Sequence, residues 1–517
     1  MIIKVTYVTK CGRGKNMEKL FMGVDTGTQG IRISIAAPDG HLKASHEEKW
    51  GTQYPKKGWV EQSPMHWWEN ICKAMESCVQ TLTEEERMNI VSCCVCATSS
   101  TTFAVKEDGE PMMPAIMWMD ARAKKEAEAI NQTGHEILKY CGGAVSFEWI
   151  VPKILWIKNH EPEIYDSCYR IVEQLDWINY KLCGQWVGSI CNAACKWNYV
   201  KAKGGFVKDY FETIGLPEYE NKMLTDIRKV GECIGVIRPE LAEKFGINPD
   251  MKVIQGGIDA HMAMFGMNVI GKRQMGIIMG TSFVHLSLVD KEPSSIQGIW
   301  GPYDSAVIDG KWLLEGGQIT ASGLVNWFRD NFHIDSVKGN PYELLMEAAE
   351  EIPPGAEGVT VLDFFQGNRT PYKDADAKGV IYGLNIKHTW KHIYRALIES
   401  ISFGTRNIVD NQIDQGYDVD TIVACVGVTQ DKVWMQIMSD ITGKELVVNE
   451  TLQAGTMGCC IMAAVGGGYY STAEEAADAM VKVKTSYKPD MEKHELYKKP
   501  YDTYKRLYGN LKEMMRD

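Results

Sequence analysis

Apolar and polar residues alternate in two segments that lie half a chain apart. Between Phe21 and Ala36 the alternation is interrupted by the turn Asp25-Thr26-Gly27-Thr28-Gln29-Gly30. The same design recurs between Met275 and Leu288, around Gly280-Thr281-Ser282. Alternation on both sides of a glycine-containing turn is typical of a β-hairpin. Two matched hairpins therefore predict a duplicated fold with one candidate phosphate-binding turn in each half.

Other segments have helical spacing or form short apolar runs. Helices are predicted over 64–79, 390–410, 432–442 and 455–465, and strands over 91–97, 251–254 and 420–426. Ser63 is expected to cap the first of these helices. The mixture of strands and helices indicates an α/β fold. The repeat divides the chain into an N-terminal extension (1–17), a first lobe (18–265) and a second lobe (266–517).

Length and charge narrow the classes of function. A chain of 517 residues is expected to form more than one domain. Its formal net charge of −11 argues against nucleic acids and anionic membranes as partners, because both require a basic face. No apolar run is long enough to cross a bilayer.

The cysteine content indicates the compartment. The 15 cysteines are an odd number, which predicts free thiols in a reducing environment, and we expect a cytoplasmic protein. Cysteines at 93, 94, 96, 459 and 460 lie in apolar segments, and their spacing does not match a zinc site. We interpret them as small core residues.

The first turn carries candidate chemistry for binding phosphate. Glycine allows the backbone to approach a ligand closely, while turn amides and threonine hydroxyls offer hydrogen-bond donors. Asp25 could hold Mg²⁺ through water, and Arg32 could neutralise phosphate charge. The alternative is an ordinary hairpin. The second turn, Gly280-Thr281-Ser282, has the same two interpretations.

A carboxylate follows two glycines in the segment Gln255-Gly256-Gly257-Ile258-Asp259-Ala260-His261. Asp259 could accept the proton of an alcohol that attacks phosphorus. Alternatively, it could cap the helix that follows. We expect His261 to be a packed, structural residue.

Two further motifs suit a nucleotide and a sugar. A strand runs into Gly427 and then a helix, an arrangement that suits phosphate or adenosine, although an ordinary loop would look alike. The segments Gly58-Trp-Val-Glu-Gln and Trp118-Met-Asp-Ala-Arg combine rings, acids and a guanidinium. Such mixtures contact sugars, with Trp118 as a candidate, but could also form a core edge and an ion pair.

In this order, the motifs resemble those of the FGGY carbohydrate kinases over roughly residues 18–510. The matching motifs are Gly23-Val-Asp-Thr-Gly-Thr, Gly58-Trp-Val-Glu-Gln, Trp118-Met-Asp-Ala-Arg-Ala, Gly256-Gly-Ile-Asp-Ala and Gly280-Thr-Ser. The segments Cys195-Lys-Trp, Glu315-Gly-Gly-Gln, Gly367-Asn-Arg-Thr-Pro and Phe403-Gly-Thr-Arg resemble the ribulokinase-like branch. The resemblance implies two actin/hexokinase-like (ribonuclease H-like) lobes with an interlobe cleft, and ATP and Mg²⁺ as cofactors.

The resemblance also implies a role for individual residues. Asp259 would be the general base, and Asp25 would assist the metal. The ATP phosphates would contact Thr26, Gly27, Thr28, Gly280 and Thr281, while Gly427, Asn326 and Asp431 would lie at the nucleotide. Lys196 and Glu315 would contact a pentulose. The chain departs from the family at Val426-Gly-Val, where two or three glycines are common, and at Cys96–Thr102.

We therefore expect an ATP-dependent kinase of a pentulose, with ribulose as the leading substrate. Xylulose, a polyol such as erythritol or glycerol, or a deoxy-sugar is the alternative substrate. A non-catalytic regulator that binds nucleotide or sugar is a third hypothesis, which the intact Asp259 and turns disfavour. The partners are then small molecules, and a homodimer stays open.

Overall fold

The structure is a computed structural model that describes residues 18–293, 298–334, 340–451 and 453–516. The predicted N-terminal extension, 1–17, lies outside the described residues. The strands of the first half are β1 (Leu20–Gly27), β2 (Gly30–Ala36), β3 (Leu42–Lys49), β4 (Glu61–Gln62), β5 (Ile90–Ala97), β6 (Thr102–Val105), β7 (Ala115–Ile116), β8 (Arg170–Glu173), β9 (Gly188–Ser189), β10 (Tyr199–Val200), β11 (Gly205–Phe206), β12 (Ile227–Arg228), β13 (Cys233–Val236) and β14 (Lys252–Ile254). Those of the second half are β15 (Gln274–Met279), β16 (Phe283–Val289), β17 (Trp300–Asp304), β18 (Trp312–Gln318), β19 (Thr360–Leu362), β20 (Val380–Tyr382), β21 (Thr421–Cys425), β22 (Glu445–Asn449) and β23 (Val483–Tyr487).

The helices surround these strands. In the first half they are α1 (Pro64–Gln80), α2 (Glu84–Met88), α3 (Lys124–Gln132), α4 (Ile150–His160), α5 (Pro162–Ser167), α6 (Gln174–Cys183), α7 (Ile190–Lys196), α8 (Lys208–Thr213), α9 (Tyr219–Lys222), α10 (Pro239–Phe245) and α11 (Asp259–Gly266). In the second half they are α12 (Ala321–Asn331), α13 (Pro341–Glu351), α14 (Trp390–Asp414), α15 (Lys432–Thr442), α16 (Ala454–Gly466), α17 (Ala473–Met480) and α18 (Met491–Leu511).

Two sheets share one topology. The first has the order β13-β14-β5-β1-β2-β3, and the second has the order β17-β18-β16-β15-β21-β22-β23. In each, three antiparallel strands (β1–β3; β15, β16 and β18) continue into two parallel ones (β5 and β14; β21 and β22). One cluster of buried apolar residues surrounds the first sheet and extends to Leu286, Leu313 and Val423 of the second sheet, and another cluster packs on the second sheet. The predicted duplication is therefore confirmed.

Both predicted hairpins are present. β1 pairs with β2 up to Gly27 opposite Gly30, which leaves a two-residue turn. β15 pairs with β16 up to Met279 opposite Phe283, which leaves Gly280-Thr281-Ser282 as the connection. Ser63 caps α1 as expected, since its side chain accepts a hydrogen bond from the backbone N–H of His66.

Helices α11 and α16 cross in close contact between the sheets. α16 belongs to the second half of the chain but packs against α11 and against strands β1 and β5 of the first sheet. Glycines make this approach possible. A Cβ on Gly458 would lie 1.9 Å from the backbone oxygen of Met262, and one on Gly266 would lie 2.0 Å from that of Ala454. Among the described residues, no helix combines the length and apolar character needed to span a bilayer.

Candidate active site

A cavity of about 210 Å³ lies where the two sheets meet. Asp25 near the end of β1, Arg32 on β2 and Asp259 at the start of α11 line it from the first half. Val426 and Gly455 are among the residues that line it from the second half. The structure thus brings together three of the predicted residues, on elements that the sequence separates by more than 200 positions.

Asp259 is the first residue of α11 rather than its cap, because Ile258 occupies the capping position. Its Oδ1 accepts a hydrogen bond from the backbone N–H of Ala260 at 2.6 Å. Burial, followed by repulsion from Asp25, raises the pKa of Asp259 to about 7. A carboxylate with a pKa close to neutral can accept a proton during a reaction and release it afterwards.

Asp25 faces the same cavity. Burial raises its pKa, while a hydrogen bond from the Cys96 thiol, 3.4 Å from Oδ1, and the Arg32 charge lower it. Arg32 itself is largely exposed and forms an ion pair with Glu47 at 3.1 Å. Two carboxylates beside one cavity repel each other, so a cation bound between them would be stabilised.

Lys196, Glu315 and His261 form a second polar group. Lys196 Nζ lies 3.4 Å from Glu315 Oε2, and His261 Nε2 lies 3.7 Å from the same oxygen. Burial raises the pKa of Glu315, but attraction from Lys196 and His261 outweighs it and holds this pKa well below its usual range. The Lys196 ammonium also lies 5.1 Å from the centre of the Trp149 ring. His261 is buried, as expected, yet it contacts a charged pair and does not lie in an apolar core.

The side chains of the first turn already have partners within the protein. Thr26 is fully buried, and its hydroxyl donates to the backbone oxygen of Cys96 at 2.8 Å. Trp118 Nε1 donates to Thr28 Oγ1 at 3.0 Å, which places Trp118 against this turn. Backbone groups around Gly27 are therefore better candidates for ligand contact than the Thr26 hydroxyl.

The second turn leads into a larger cavity. The hydroxyl of Ser322 donates to the Gly280 carbonyl, and the Thr281 carbonyl accepts from Gly323 N–H. Ser322 also lines a cavity of about 580 Å³. Three predicted residues line this cavity: Asn326, Gly427 and Asp431. It is also lined by polar and aromatic residues that the sequence did not indicate, among them Asn340, Tyr342, Tyr394 and Trp434.

The predicted residues in this cavity have structural partners as well. Asp431 caps α15 and accepts a hydrogen bond from the backbone N–H of Trp434 at 2.9 Å. Asn326 Oδ1 accepts from the Tyr342 hydroxyl at 3.2 Å. Val426, beside Gly427, has φ +80° and ψ 175°, a region that is essentially restricted to glycine. Valine occupies a backbone conformation that favours glycine, which stores strain at the edge of the cavity of about 210 Å³.

Arg122 belongs to the core rather than to the cavities. Its guanidinium is almost fully buried, pairs with Glu61 at 2.7 Å and with Asp120 at 2.8 Å, and stacks 3.8 Å from the centre of the Trp59 ring. Arg122, Glu61 and Asp120 thus form the ion pairs of the structural alternative, while Trp118 as a sugar contact stays a prediction.

Sequence reasoning missed a thiol and imidazole cluster beside Lys196. Cys191 and Cys195 lie one helical turn apart on α7, and their ligand atoms and that of His261 on α11 all lie within 4.8 Å of one another. The spacing of the two cysteines is visible in the sequence. The histidine, 66 residues beyond Cys195, is not part of any local motif.

Comparisons with known proteins give one family over most of the chain. The profile described as "FGGY family of carbohydrate kinases, N-terminal domain" matches residues 20–266, and the profile of the C-terminal domain of that family matches 275–467. The chain is 30% identical to a ribulokinase from Halalkalibacterium halodurans, with 98% of this chain and 94% of the relative covered. It is 27% identical to a human FGGY carbohydrate kinase domain-containing protein, with 98% of each covered.

Solved structures give the same fold. The structure of a xylulose kinase from Rhodospirillum rubrum matches with a TM-score of 0.88 at 22% identity, and the match covers 96% of this chain and 100% of that one. At this identity the likeness concerns the fold alone. It agrees with the paired sheets described above.

Proposed function

The chain belongs to the FGGY family of carbohydrate kinases, and on that premise we propose that it transfers the γ-phosphate of ATP to a hydroxyl group of a pentulose, with ribulose as the leading substrate. Sugar phosphorylation is the activity of the family. The choice of ribulose is supported by ribulokinase relatives that match nearly the whole chain at 29–30% identity.

The observation that carries the proposal is the Asp259 carboxylate, which faces the cavity between the lobes with a pKa raised to about 7. In its ionised form it accepts the proton of the attacking sugar hydroxyl as the oxygen bonds to phosphorus. The position of Asp259 at the first turn of α11 fixes the carboxylate on a packed helix and not on a free loop.

The Lys196–Glu315–His261 group is suited to hold the sugar. Glu315 stays ionised because Lys196 and His261 surround it, so it can accept hydrogen bonds from sugar hydroxyls. Lys196 can donate to a carbonyl or hydroxyl oxygen. Such a set of charges suits a polyhydroxy ketone better than a smaller triol.

The cavity of about 580 Å³ is proposed to hold the adenosine part of ATP. Its volume lies within the usual range for a small-molecule site, and the rings of Tyr342, Tyr394 and Trp434 offer flat apolar surface. Gly427, Asn326 and Asp431 would contact the nucleotide there. The turns at Thr26–Thr28 and Gly280–Thr281, together with Arg32, would contact its phosphates.

Mg²⁺ fits the residues present at Asp25. Hard divalent cations prefer carboxylate oxygen, and a cation would relieve the repulsion between Asp25 and Asp259. When bound with ATP, the metal neutralises charge on the phosphates. Asp25 would hold it through water, since Mg²⁺ usually keeps several water ligands.

A substrate panel tests the proposal. ADP release is measured with D- and L-ribulose, D- and L-xylulose, erythritol, glycerol and gluconate at saturating ATP. We expect the largest kcat/KM with a ribulose, and a Glu315→Gln variant should raise the KM for that sugar while leaving ATP affinity unchanged. A polyol that outperforms every pentulose would contradict the substrate, and ATP binding with no sugar-dependent ADP release would contradict the kinase activity.

A further inference from the structure

We propose that Cys191, Cys195 and His261 form a binding site for a zinc-like divalent cation. These three residues, called here the thiol cluster, are the one group among the described residues whose histidine, cysteine or carboxylate atoms converge as metal ligands do. All three side chains are buried. The cluster is separate from the Mg²⁺ position proposed at Asp25, whose ligand atoms are oxygens.

The distances match tetrahedral coordination. His261 Nδ1 lies 3.3 Å from Cys191 Sγ and 3.7 Å from Cys195 Sγ. Zinc bonds of about 2.3 Å to sulfur and about 2.0 Å to nitrogen place the sulfur and nitrogen atoms about 3.6 Å apart in a tetrahedron. The cation could therefore bind with little movement of the three side chains.

A second contact fixes the orientation of the His261 ring. His261 turns its other nitrogen, Nε2, to the Glu315 carboxylate at 3.7 Å. A carboxylate behind a ligating histidine fixes the ring and strengthens the metal bond.

Space for the ligands is built into the backbone. A Cβ on Gly257 would lie 2.8 Å from Cys191 Sγ, so a larger residue at 257 would displace this thiol. Lys196 and Glu315 lie beside the cluster and are partly exposed.

Charge and proton balance are satisfied. Two thiolates and a neutral imidazole offset the charge of one divalent cation, and whichever protons the two sulfurs and the imidazole carry beyond that state leave to solvent. Thiolate ligands select zinc-like cations over Mg²⁺ and Ca²⁺, which prefer oxygen. α7 carries Lys196, which is proposed to contact the sugar, and α11 carries Asp259, the proposed proton acceptor. The bound cation would therefore link these two helices.

Spectroscopy with Co²⁺ as the probe tests the site without sugar or ATP. The reduced, chelator-treated full-length protein is titrated with Co²⁺ and then with Zn²⁺. We expect one equivalent of Co²⁺ to give a thiolate charge-transfer band and intense tetrahedral ligand-field bands, both removed by Zn²⁺. The double variant Cys191→Ser/Cys195→Ser should show neither band.

The matched control is Cys183→Ser, which removes a helical cysteine elsewhere in the first lobe and should leave the spectrum unchanged. If the double variant does not fold, X-ray absorption of the zinc-loaded wild-type protein decides: sulfur neighbours at about 2.3 Å are expected. Oxygen and nitrogen neighbours alone, or equal Co²⁺ spectra in the folded double variant and the wild type, would overturn the proposal. Neither result depends on which sugar the protein phosphorylates.

Discussion

The Asp259 carboxylate combines a fixed position with a raised pKa. It is held at the start of a packed helix, and its pKa is raised to about 7, first by burial and then by the Asp25 charge. The same surroundings that make ionisation costly also make the ionised form a stronger base. The chemistry of the site thus depends on a balance that a single residue can change.

A pH profile follows from this balance. Under the proposed role, Asp259 must be ionised to accept a proton, so kcat/KM for the sugar should rise with pH and level off above about 7. The measurement is ADP release between pH 5 and 9 at saturating ATP. In an Asp259→Asn variant the residual rate should lose this dependence, and an unchanged acidic limb there would assign the ionisation to another group.

At this scale the sequence was informative where a residue type implies its own chemistry. Asp259 after two glycines and Asp25 at a glycine turn could be singled out because a carboxylate can accept a proton or hold a cation, although capping and an ordinary hairpin stayed open as alternatives. The hydrogen bond from the Thr26 hydroxyl to the backbone oxygen of Cys96 could not be foreseen, since Cys96 lies on a different strand. The thiol cluster was missed for the same reason, because α7 and α11 meet only in the folded chain.

At the scale of elements, the crossing of α11 and α16 positions the site. α11 begins with Asp259, and Gly455 at the start of α16 lies against Asp25: a Cβ there would be 2.7 Å from Asp25 Oδ2. Local patterns predicted the start and end of α15 and most of α14 and α16. They could not predict that α16 returns to the first sheet, because its partners on β1 lie more than 400 residues earlier.

A Gly458→Ala substitution tests this crossing. The new methyl group would meet the backbone of Met262 at 1.9 Å, so the helices must move apart. Overpacking of this kind costs about 1–3 kcal/mol, and the displacement of α11 should also lower kcat. Thermal unfolding and ADP release measure the two effects.

Gly509→Ala is the control for that substitution. Gly509 lies in α18 with no atom near its added Cβ, so alanine should be neutral or should stabilise the helix by up to about 1 kcal/mol. If both alanine variants have the Tm and the kcat of the wild type, the close crossing does not constrain the site.

For the whole molecule, two copies of one sheet topology create a cavity that neither forms alone. Asp259 and Asp25 come from the first copy, whereas Val426 and the adjoining larger cavity come from the second. The duplication was visible in the sequence because both hairpins keep their alternation. The same fold recurs in the xylulose kinase structure at 22% identity.

The raised pKa of Asp259 should make the stability of the whole protein depend on pH. A carboxyl whose pKa is raised by folding binds more protons in the folded state, so its contribution to stability falls as pH rises from about 4 to about 7. Asp259→Asn should therefore raise the Tm relative to wild type, and by more at pH 8 than at pH 5. A Tm difference that is equal at both pH values would contradict the raised pKa.

Asp259 is proposed to accept the proton of the sugar hydroxyl, and the most direct test of this role is the kcat of Asp259→Asn with the preferred sugar. Loss of a general base should lower kcat by about 10²–10⁴-fold, while the Kd for ATP stays unchanged and the exposed control Asp166→Asn keeps wild-type turnover. Near-normal turnover in a folded Asp259→Asn protein would contradict the account.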